Sequence, residues 1–267
     1  MTRVVVTGAA GRMGQRVIAM LQADAQFTLA GAVTRSQHPT VGRDVGEVVG
    51  GGAAGIKITD DAVSVLAQAD VAIDFSVPEA AVAYLKAASD LGKAMVIGTT
   101  GFTAAQHDEI QQLSQRAPCF LAPNMSVGVH VMYQALRQLV VLLGPDYDIE
   151  ILEAHHRTKV DAPSGTALRM ASIVAEAQGT SLDDVAVYGR QGRVGQRPHS
   201  AIGIQAVRAG DIVGEHTVLF GGIGERIELI HRSQSRDTFA RGAVRAAAWV
   251  VRQHPGLYGM DDLLRPS

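Results

Sequence analysis

A glycine-rich loop near the amino terminus, set between an apolar run and an amphipathic helix, most constrains how this chain can fold. Val4–Thr7 predicts a buried strand, and apolar residues recur at helical spacing within Met13–Leu21. The loop between them reads GAAGRMG, residues 8–14. Glycines permit a tight turn and a close backbone approach to a pyrophosphate, whose charge the start of the helix stabilises. The arrangement therefore predicts a strand–loop–helix unit that binds a dinucleotide.

The alternation of strand and helix continues to about residue 125. Pro78 suits the first turn of one helix, and Thr103 can cap another that runs through Gln115. Short apolar runs predict four more strands: Thr28–Val33, Val71–Phe75, Ala94–Ile97 and Cys119–Ala122. Strands regularly separated by helices form parallel sheets with right-handed crossovers. We therefore expect a Rossmann domain, a doubly wound parallel sheet.

The residues after the second strand bear on the choice of cofactor. An acid there accepts hydrogen bonds from a ribose 2′-hydroxyl, whereas an arginine accommodates a 2′-phosphate. The chain has Thr34 followed by Arg35, which favours NADPH over NADH. The alternatives are a solvated surface role for Arg35 and an ordinary glycine-rich turn for the loop, which is spaced GxxGxxG rather than GxGxxG.

The pattern changes in the second half of the chain. Val127–Leu143 predicts a long apolar helix buried on most sides. A helix is predicted at Thr166–Ala177. Four strand-like runs also follow: Tyr147–Ala154, Ile202–Arg208, Val213–Phe220 and Arg226–His231. Glycines separate the last three runs, which predicts an antiparallel or mixed sheet. Before these three runs, residues 189–199, which are rich in glycine and arginine, predict a mobile loop.

The last predicted helix, Phe239–Val251, is expected to return to the first domain. The expected organisation is therefore a dinucleotide-binding Rossmann domain of residues 1–126 with 236–267. Residues 127–235 would form a smaller α+β domain for substrate binding and oligomerisation.

Composition excludes several classes of protein. The net charge is −2, with acids and bases interspersed, which is not typical of a nucleic-acid or membrane-surface binder. No run approaches the roughly 20 apolar residues of a membrane span, and the start is too short an apolar run for a signal peptide. The single cysteine, Cys119, excludes an intramolecular disulfide and a cysteine-rich metal site. We expect a cytoplasmic protein.

The densest chemistry lies in residues 153–167, EAHHRTKVDAPSGTA. A histidine titrates near neutral pH and can pass a proton to a substrate. Lys159 adds a cation, and Gly165 and Thr166 at a helix start offer backbone donors to a carboxylate. These residues suit a small anion that is protonated during reaction. Two alternatives stay open: a structural histidine pair, and a metal site at Glu153 and His155, although no third ligand adjoins them.

This segment closely resembles the signature of the 4-hydroxy-tetrahydrodipicolinate reductase family, also called dihydrodipicolinate reductase, of the diaminopimelate route to lysine. The resemblance covers essentially the whole chain: GAAGRMG, VIGTTGF at 96–102, NMSVGV at 124–129 and RAGDIVGEHTV at 208–218. It implies NAD(P)H-dependent reduction of a cyclic dicarboxylate, 4-hydroxy-tetrahydrodipicolinate, to tetrahydrodipicolinate with loss of water. It also implies a homotetramer assembled through the sheets of the second domain, and no metal site.

The resemblance also implies roles for individual residues. His155 would be the proton donor or acceptor, Lys159 a proton donor, and His156, Gly165 and Thr166 substrate contacts. The implied cofactor contacts are Gly8, Ala9, Ala10, Gly11, Arg12, Met13, Arg35, Gly98, Thr99, Thr100, Ala122, Pro123, Asn124 and Met125. Many family members have an acid where Thr34 stands, which leaves the use of NADH open.

Three other functions compete with this interpretation. An aspartate-semialdehyde-type dehydrogenase needs a nucleophilic cysteine, but Cys119 lies in the apolar run CFLA. A Rossmann reductase of another small carboxylic acid is the main enzymatic alternative. A non-catalytic NADPH-binding sensor would have no need of His155 and Lys159.

Overall fold

The computed structural model describes residues 1–265 and divides the chain into two compact units. The first contains residues 1–126 and the chain from Arg236 onward, and the second contains Val127–Ser235. Each unit has its own sheet.

The first unit is built on a sheet of seven parallel strands. Its strands are β1 (Thr2–Thr7), β2 (Phe27–Val33), β3 (Ile58–Thr59), β4 (Val71–Asp74), β5 (Ala94–Ile97), β6 (Pro118–Leu121) and β12 (Gly256–Tyr258). The order across the sheet is β12-β6-β5-β4-β1-β2-β3. The order reverses direction at β1, so the loops after β1 and β4 open at the point where such sheets bind ligands.

Helices connect these strands. They are α1 (Arg12–Ala23), α2 (Val45–Val49), α3 (Ala62–Leu66), α4 (Pro78–Asp90), α5 (Ala104–Leu113), α9 (Asp237–Val250) and α10 (Met260–Leu263). Two helix starts confirm local predictions from the sequence. Pro78 occupies the first turn of α4, and Thr103 caps α5 in a reciprocal capping box with Gln106.

The second unit carries a mixed sheet of five strands, in the order β11-β10-β7-β9-β8. Its elements are α6 (Val127–Leu143), β7 (Asp148–His155), α7 (Gly165–Gln178), α8 (Leu182–Val185), β8 (Ala186–Tyr188), β9 (Ile202–Arg208), β10 (Gly214–Gly221) and β11 (Arg226–Ser233). Strand β9 runs parallel to β7, and β10 runs antiparallel to it. Alternate apolar residues on one face of this sheet pack with α7 into a core. The predicted fold class, a doubly wound parallel sheet and a mixed second sheet, is confirmed.

Helix α6 corrects one prediction. It has one buried stripe, Val129, Met132, Leu136 and Val140, rather than burial on most sides. Val141 and Leu142 are 65% and 78% exposed, because α6 packs along one side, against α7 and β11. The segment Val127–Asp146 is also long and apolar enough, by length and composition, to cross a membrane. The core helix of a globular protein meets the same criteria, and His130, Gln134 and Arg137 interrupt the apolar residues of this segment.

Residues 189–199 form the irregular loop that the sequence predicts, and two of its arginines are paired with β7. Arg190 donates to both carboxylate oxygens of Glu150 at 2.8 Å. Arg197 donates to Glu150 at 3.0 Å and to Asp148 at 2.6 Å. These ion pairs attach both ends of the loop to the outer face and start of β7.

Candidate functional site

The glycine loop after β1 has the geometry of a backbone cradle. Gly8 has a φ of +70°, and a methyl group there would lie 2.5 Å from the carbonyl oxygen of Phe75. A methyl group on Gly14 would lie 2.3 Å from the carbonyl oxygen of Gly8. Such contacts exclude a side chain at either position. Helix α1 therefore starts directly against the loop, with Gly11 as its N-cap residue.

A cavity of about 310 Å³ opens beside this loop, within the first unit. It is lined by residues from five loops or helix starts: Arg12, Met13, Phe75, Gly98, Pro123, Asn124, Met125, Arg236 and Phe239. Six of these are among the predicted cofactor contacts, so three separate predicted segments meet at one cavity. Arg35, Thr99, Thr100 and Ala122 do not line it, and neither do Gly8 to Gly11.

A buried carboxylate joins two of these segments. Asp74, the last residue of β4, is fully buried and accepts hydrogen bonds from the hydroxyls of Thr7 and Thr99, each at 2.6 Å. The backbone N–H of Ser76 donates to it at 3.3 Å. Burial raises the pKa of Asp74, and the hydrogen bonds oppose that rise. Asp74 thus fixes the end of β1 relative to the loop after β5.

Thr34 and Arg35 follow the last residue of β2. Thr34 is buried, and its N–H donates to the carbonyl of Thr59 at 3.0 Å. The side chain of Arg35 is exposed and, within residues 1–265, makes no hydrogen bond or ion pair to another side chain. A cation is therefore available to a ligand at the carboxyl end of β2.

A second cluster lies at the carboxyl end of β7, in the second unit. Glu153 and His155 are two residues apart on the strand and so share one face. The distance from His155 Nδ1 to Glu153 Oε2 is 2.6 Å, and both residues are buried. Burial lowers the pKa of His155, and the ion pair with Glu153 opposes that effect.

Arg208, the last residue of β9, completes the ion pair. Strand β9 pairs in register with β7, so that Arg208 stands beside His155. The guanidinium donates to both oxygens of Glu153, each at 2.8 Å, and to the carbonyl of Asp161 at 2.6 Å. The N–H of Ser164 also donates to Glu153, at 3.1 Å. Burial acts to raise the pKa of Glu153, but these donors outweigh it and the net pKa is lowered.

The loop between β7 and α7 carries the remaining predicted contacts. Lys159 Nζ lies 2.7 Å from Asp161 Oδ1, and the lysine side chain is 21% exposed. His156 lies beyond the end of the strand, and its Nδ1 is 2.7 Å from the hydroxyl of Thr158. The loop therefore holds two cationic or proton-carrying groups beside His155.

Helix α7 begins at Gly165, as the sequence predicts. Its N-cap Ser164 accepts a hydrogen bond from the N–H of Ala167 at 3.2 Å. A methyl group on Gly165 would meet nothing within 4 Å, so the helix start is open on that side. The backbone donors of Gly165 and Thr166 lie at the positive end of a fourteen-residue helix, a suitable place for a carboxylate.

Within residues 1–265 there is no group of three or more His, Cys, Asp or Glu side chains that could hold a metal ion. Glu153 and His155 instead satisfy each other and Arg208. The cluster is therefore a buried, hydrogen-bonded group of one acid, one histidine and one arginine.

Comparison with known proteins gives the family. The profile of the dihydrodipicolinate reductase N-terminus matches residues 2–125, and that of the C-terminus matches residues 128–264. The chain belongs to the dihydrodipicolinate reductase family. It is 54% identical to 4-hydroxy-tetrahydrodipicolinate reductase of Syntrophus aciditrophicus, over 99% of this chain and 98% of the relative. It is 50% identical to that of Geobacter sulfurreducens, over 99% of both chains.

Solved structures agree with this family. The dipicolinate-bound dihydrodipicolinate reductase from Paenisporosarcina sp. TG-14 matches with a TM-score of 0.78 and 25% identity, over 99% of this chain and 100% of that one. An amine dehydrogenase from Mycobacterium smegmatis, at 16% identity and a TM-score of 0.62, shares the fold. The family is one of oxidoreductases, and the chain is accordingly an enzyme.

The structure adds residues to the site that the sequence did not single out. Phe75 was assigned only to a strand, yet it lines the cavity and contacts Gly98. Arg236 and Phe239 reach the same cavity from α9, far along the chain. Arg208 carried a sequence signal, since it opens the family-like segment 208–218, but no role was assigned to it.

Cys119 does not have the properties of a nucleophile. Its side chain is fully buried in the middle of β6, and burial raises the pKa of its thiol to about 12. A vibrio aspartate-semialdehyde dehydrogenase shares the fold at 11% identity and a TM-score of 0.54. This dihydrodipicolinate reductase family member lacks the reactive cysteine that such chemistry needs, within the described residues.

Proposed function

We propose that the chain reduces 4-hydroxy-tetrahydrodipicolinate to tetrahydrodipicolinate in the diaminopimelate route to lysine. The overall reaction consumes the substrate, NAD(P)H and a proton, and releases tetrahydrodipicolinate, NAD(P)+ and water. The observation that carries the proposal is the cluster at the end of β7, where a buried histidine and a lysine flank an open helix start. Family membership supports the choice of substrate.

The first unit is proposed to bind the dinucleotide. The glycine loop suits a pyrophosphate, because Gly8 and Gly14 allow a tight turn that brings the start of α1 directly against the loop. The proposed cofactor contacts are residues 8–13, 98–100 and 122–125, together with Arg35. The exposed guanidinium of Arg35 supports a preference for NADPH, with NADH as the second cofactor. When bound, the cofactor supplies a hydride from C4 of the nicotinamide to C4 of the substrate.

The second unit is proposed to bind the dicarboxylate. His156 and the backbone donors of Gly165 and Thr166 would hold its carboxylates, since a helix start and nearby cations stabilise anions. His155 would donate or accept a proton, and Lys159 would donate one. Addition of hydride increases electron density on the conjugated imine, so a proton donor within reach lowers the barrier.

The same unit is proposed to form the contacts of a cytoplasmic homotetramer. The residues that the sequence left ambiguous, Ile202, Ile204, Val218 and Phe220, are buried in the intramolecular core. The opposite face of the sheet exposes Leu152, Val207 and Ile230 by 40–50%. Sedimentation equilibrium of the wild type should give four chains, and Leu152→Lys should shift the mass downward. A wild-type monomer would contradict the tetramer.

The test of the reaction follows the oxidation of NADPH and of NADH. The substrate is generated in situ from pyruvate and aspartate semialdehyde by the preceding synthase. We expect wild type to oxidise both cofactors, and His155→Gln and Lys159→Met to lose at least about 100-fold in kcat, the lower range for general acid catalysis. His199→Gln and Lys57→Met, exposed residues elsewhere, are the matched controls and should retain activity.

A separate variant tests the proposed preference for NADPH. Arg35→Ala should reduce kcat/KM with NADPH about tenfold or more, because it removes a charge-assisted contact to the 2′-phosphate. It should leave kcat/KM with NADH largely unaffected.

No oxidation by folded wild type that still binds NADPH would refute the reaction and favour a sensor. Full activity in His155→Gln would refute the proton role.

A further inference from the structure

We propose that Glu153 is a positioning residue of this reductase, which holds His155 with Nδ1 protonated and leaves Nε2 as the nitrogen that transfers the proton. The proposal rests on the proposed function, because it assigns a partner to the histidine that the reaction needs. It specifies which nitrogen of His155 transfers the proton. It also gives Arg208 a role, which is to hold the carboxylate of Glu153.

The geometry favours one tautomer of His155. The contact between Nδ1 and Glu153 Oε2 is 2.6 Å, a short distance that is typical of a charge-assisted hydrogen bond. An ionised carboxylate can only accept hydrogen bonds, so the proton of this contact lies on Nδ1. Since a neutral imidazole carries one N–H, Nε2 is then the free acceptor.

The carboxylate of Glu153 is kept ionised by its other donors. Arg208 donates to both oxygens at 2.8 Å, and Ser164 N–H donates to Oε1 at 3.1 Å. A glutamate that is 1% exposed and without these donors would take up a proton. With them it stays ionised, and it cannot turn away from His155 without losing the paired contacts with Arg208.

The other nitrogen of His155 faces a position without a side chain. A methyl group on Gly214, the first residue of β10, would lie 3.0 Å from Nε2. The ring of His216, two residues further, stacks edge-on to that of His155 at 5.2 Å between centroids. Strand β10 thus contacts the ring of His155 on one side through His216. Position 214 carries no side chain that would cover Nε2.

The titratable and charged groups around His155 lie on β7, on the loop that follows it, on β9 and on β10. Glu153 on β7 raises the pKa of His155, whereas Lys159 on the following loop and Arg208 on β9 lower it. His216 on β10 is uncharged, because burial lowers its pKa to about 3. His231 on β11 lowers the pKa of His216. Glu153 is therefore the acid that favours the protonated imidazole.

The test compares Glu153→Gln with Glu150→Gln. Glu150 lies on the same strand and is also paired with arginine, in its case Arg190 and Arg197, but it points to the opposite face. We expect Glu153→Gln to lower kcat about 10- to 100-fold, the range for loss of such a supporting contact, with a KM change under about threefold. The acid-requiring limb of the kcat–pH profile should move to lower pH, because a neutral amide no longer stabilises the imidazolium. Glu150→Gln should change neither quantity.

A direct measurement keeps the proposal independent of turnover and of how Glu153→Gln folds. Nitrogen-15 spectra of histidine-labelled wild type, with His155→Gln used to assign its signals, should show the Nδ1–H tautomer of His155 at neutral pH. Glu153→Asp, which keeps the charge, should recover part of the lost kcat.

An Nε2–H tautomer in wild type would overturn the proposal. So would an unchanged pH profile in an active Glu153→Gln variant. Either result would leave the reductase function intact, provided that His155→Gln is inactive. Failure of the wild type to turn over would instead refute the proposed function, and the tautomer would still be read from the spectra.

Discussion

Replacing Asp74 by alanine tests whether its carboxylate holds the first unit together at the end of β4. The hydroxyls of Thr7 and Thr99 donate to it at 2.6 Å, and both threonines are at most 5% exposed. Alanine would leave both hydroxyls buried without their acceptor. Each buried unsatisfied polar group costs about 1–3 kcal/mol, so we expect Asp74→Ala to lower the free energy of unfolding by about 2–6 kcal/mol.

Asparagine is the matched control for this change. Its carbonyl can accept from one threonine, and its amide can donate to the hydroxyl oxygen of the other. We expect Asp74→Asn to lower the free energy of unfolding by about 1 kcal/mol or less at neutral pH. Urea titration followed by fluorescence suits the measurement, because Trp249, the only tryptophan, packs on Phe120 of the first unit at 6.2 Å. A loss under about 1 kcal/mol in Asp74→Ala, or equal losses in both variants, would refute the reasoning.

The pH dependence gives a second check on Asp74. Burial raises its folded-state pKa above the unfolded value of about 3.9. A folded state that holds its proton more tightly loses stability as the pH rises from the unfolded to the folded pKa, and the loss is complete above the folded pKa. Asp74→Asn lacks this loss. Its free energy of unfolding, relative to wild type, should therefore improve as the pH is raised through that window, and a constant difference would contradict the assignment.

Two further predictions concern packing in the first unit. Gly242→Ala should lower the free energy of unfolding by about 1–3 kcal/mol or more, because the new methyl would lie 1.7 Å from the carbonyl oxygen of Met125. Gly51→Ala, whose nearest new contact is a flexible side chain at 3.4 Å, should change it by under about 0.5 kcal/mol in the same urea titration. Cys119 should react with a maleimide at least about 100-fold more slowly in folded than in denatured protein, since burial raises its pKa to about 12; rapid labelling of the folded chain would contradict its burial.

The regular part of the first unit was predictable because its strands are buried on both faces. Continuous apolar runs such as Val4–Thr7 and Ala94–Ile97 result from that burial, and both lie within the observed strands. The short strands β3 and β12 were missed, since two or three residues carry no period. Helix α6 shows another limit: an apolar stripe predicts that a helix packs, but not how many of its sides are covered.

The sequence was enough to predict those site residues that are close together along the chain. Glu153, His155 and Lys159 lie on one strand and its following loop, so spacing and chemistry were enough to group them. Arg208 stands beside His155 only because β9 pairs in parallel with β7, which no local pattern encodes. Arg236 reaches the cavity from α9 for the same kind of reason.

The division of the chain at Ser126 and Arg236 has a consequence for biosynthesis. The second unit is one continuous segment, so the ribosome delivers all of it before the last strand and helices of the first unit. The sheet of the first unit lacks its β12 edge, and β4 and β5 lack the helix α9 that packs on them, until the final part is translated. The first unit therefore stays incomplete until its last residues are translated, and a chain terminated at Ser235 would contain the whole second unit but lack α9 and β12.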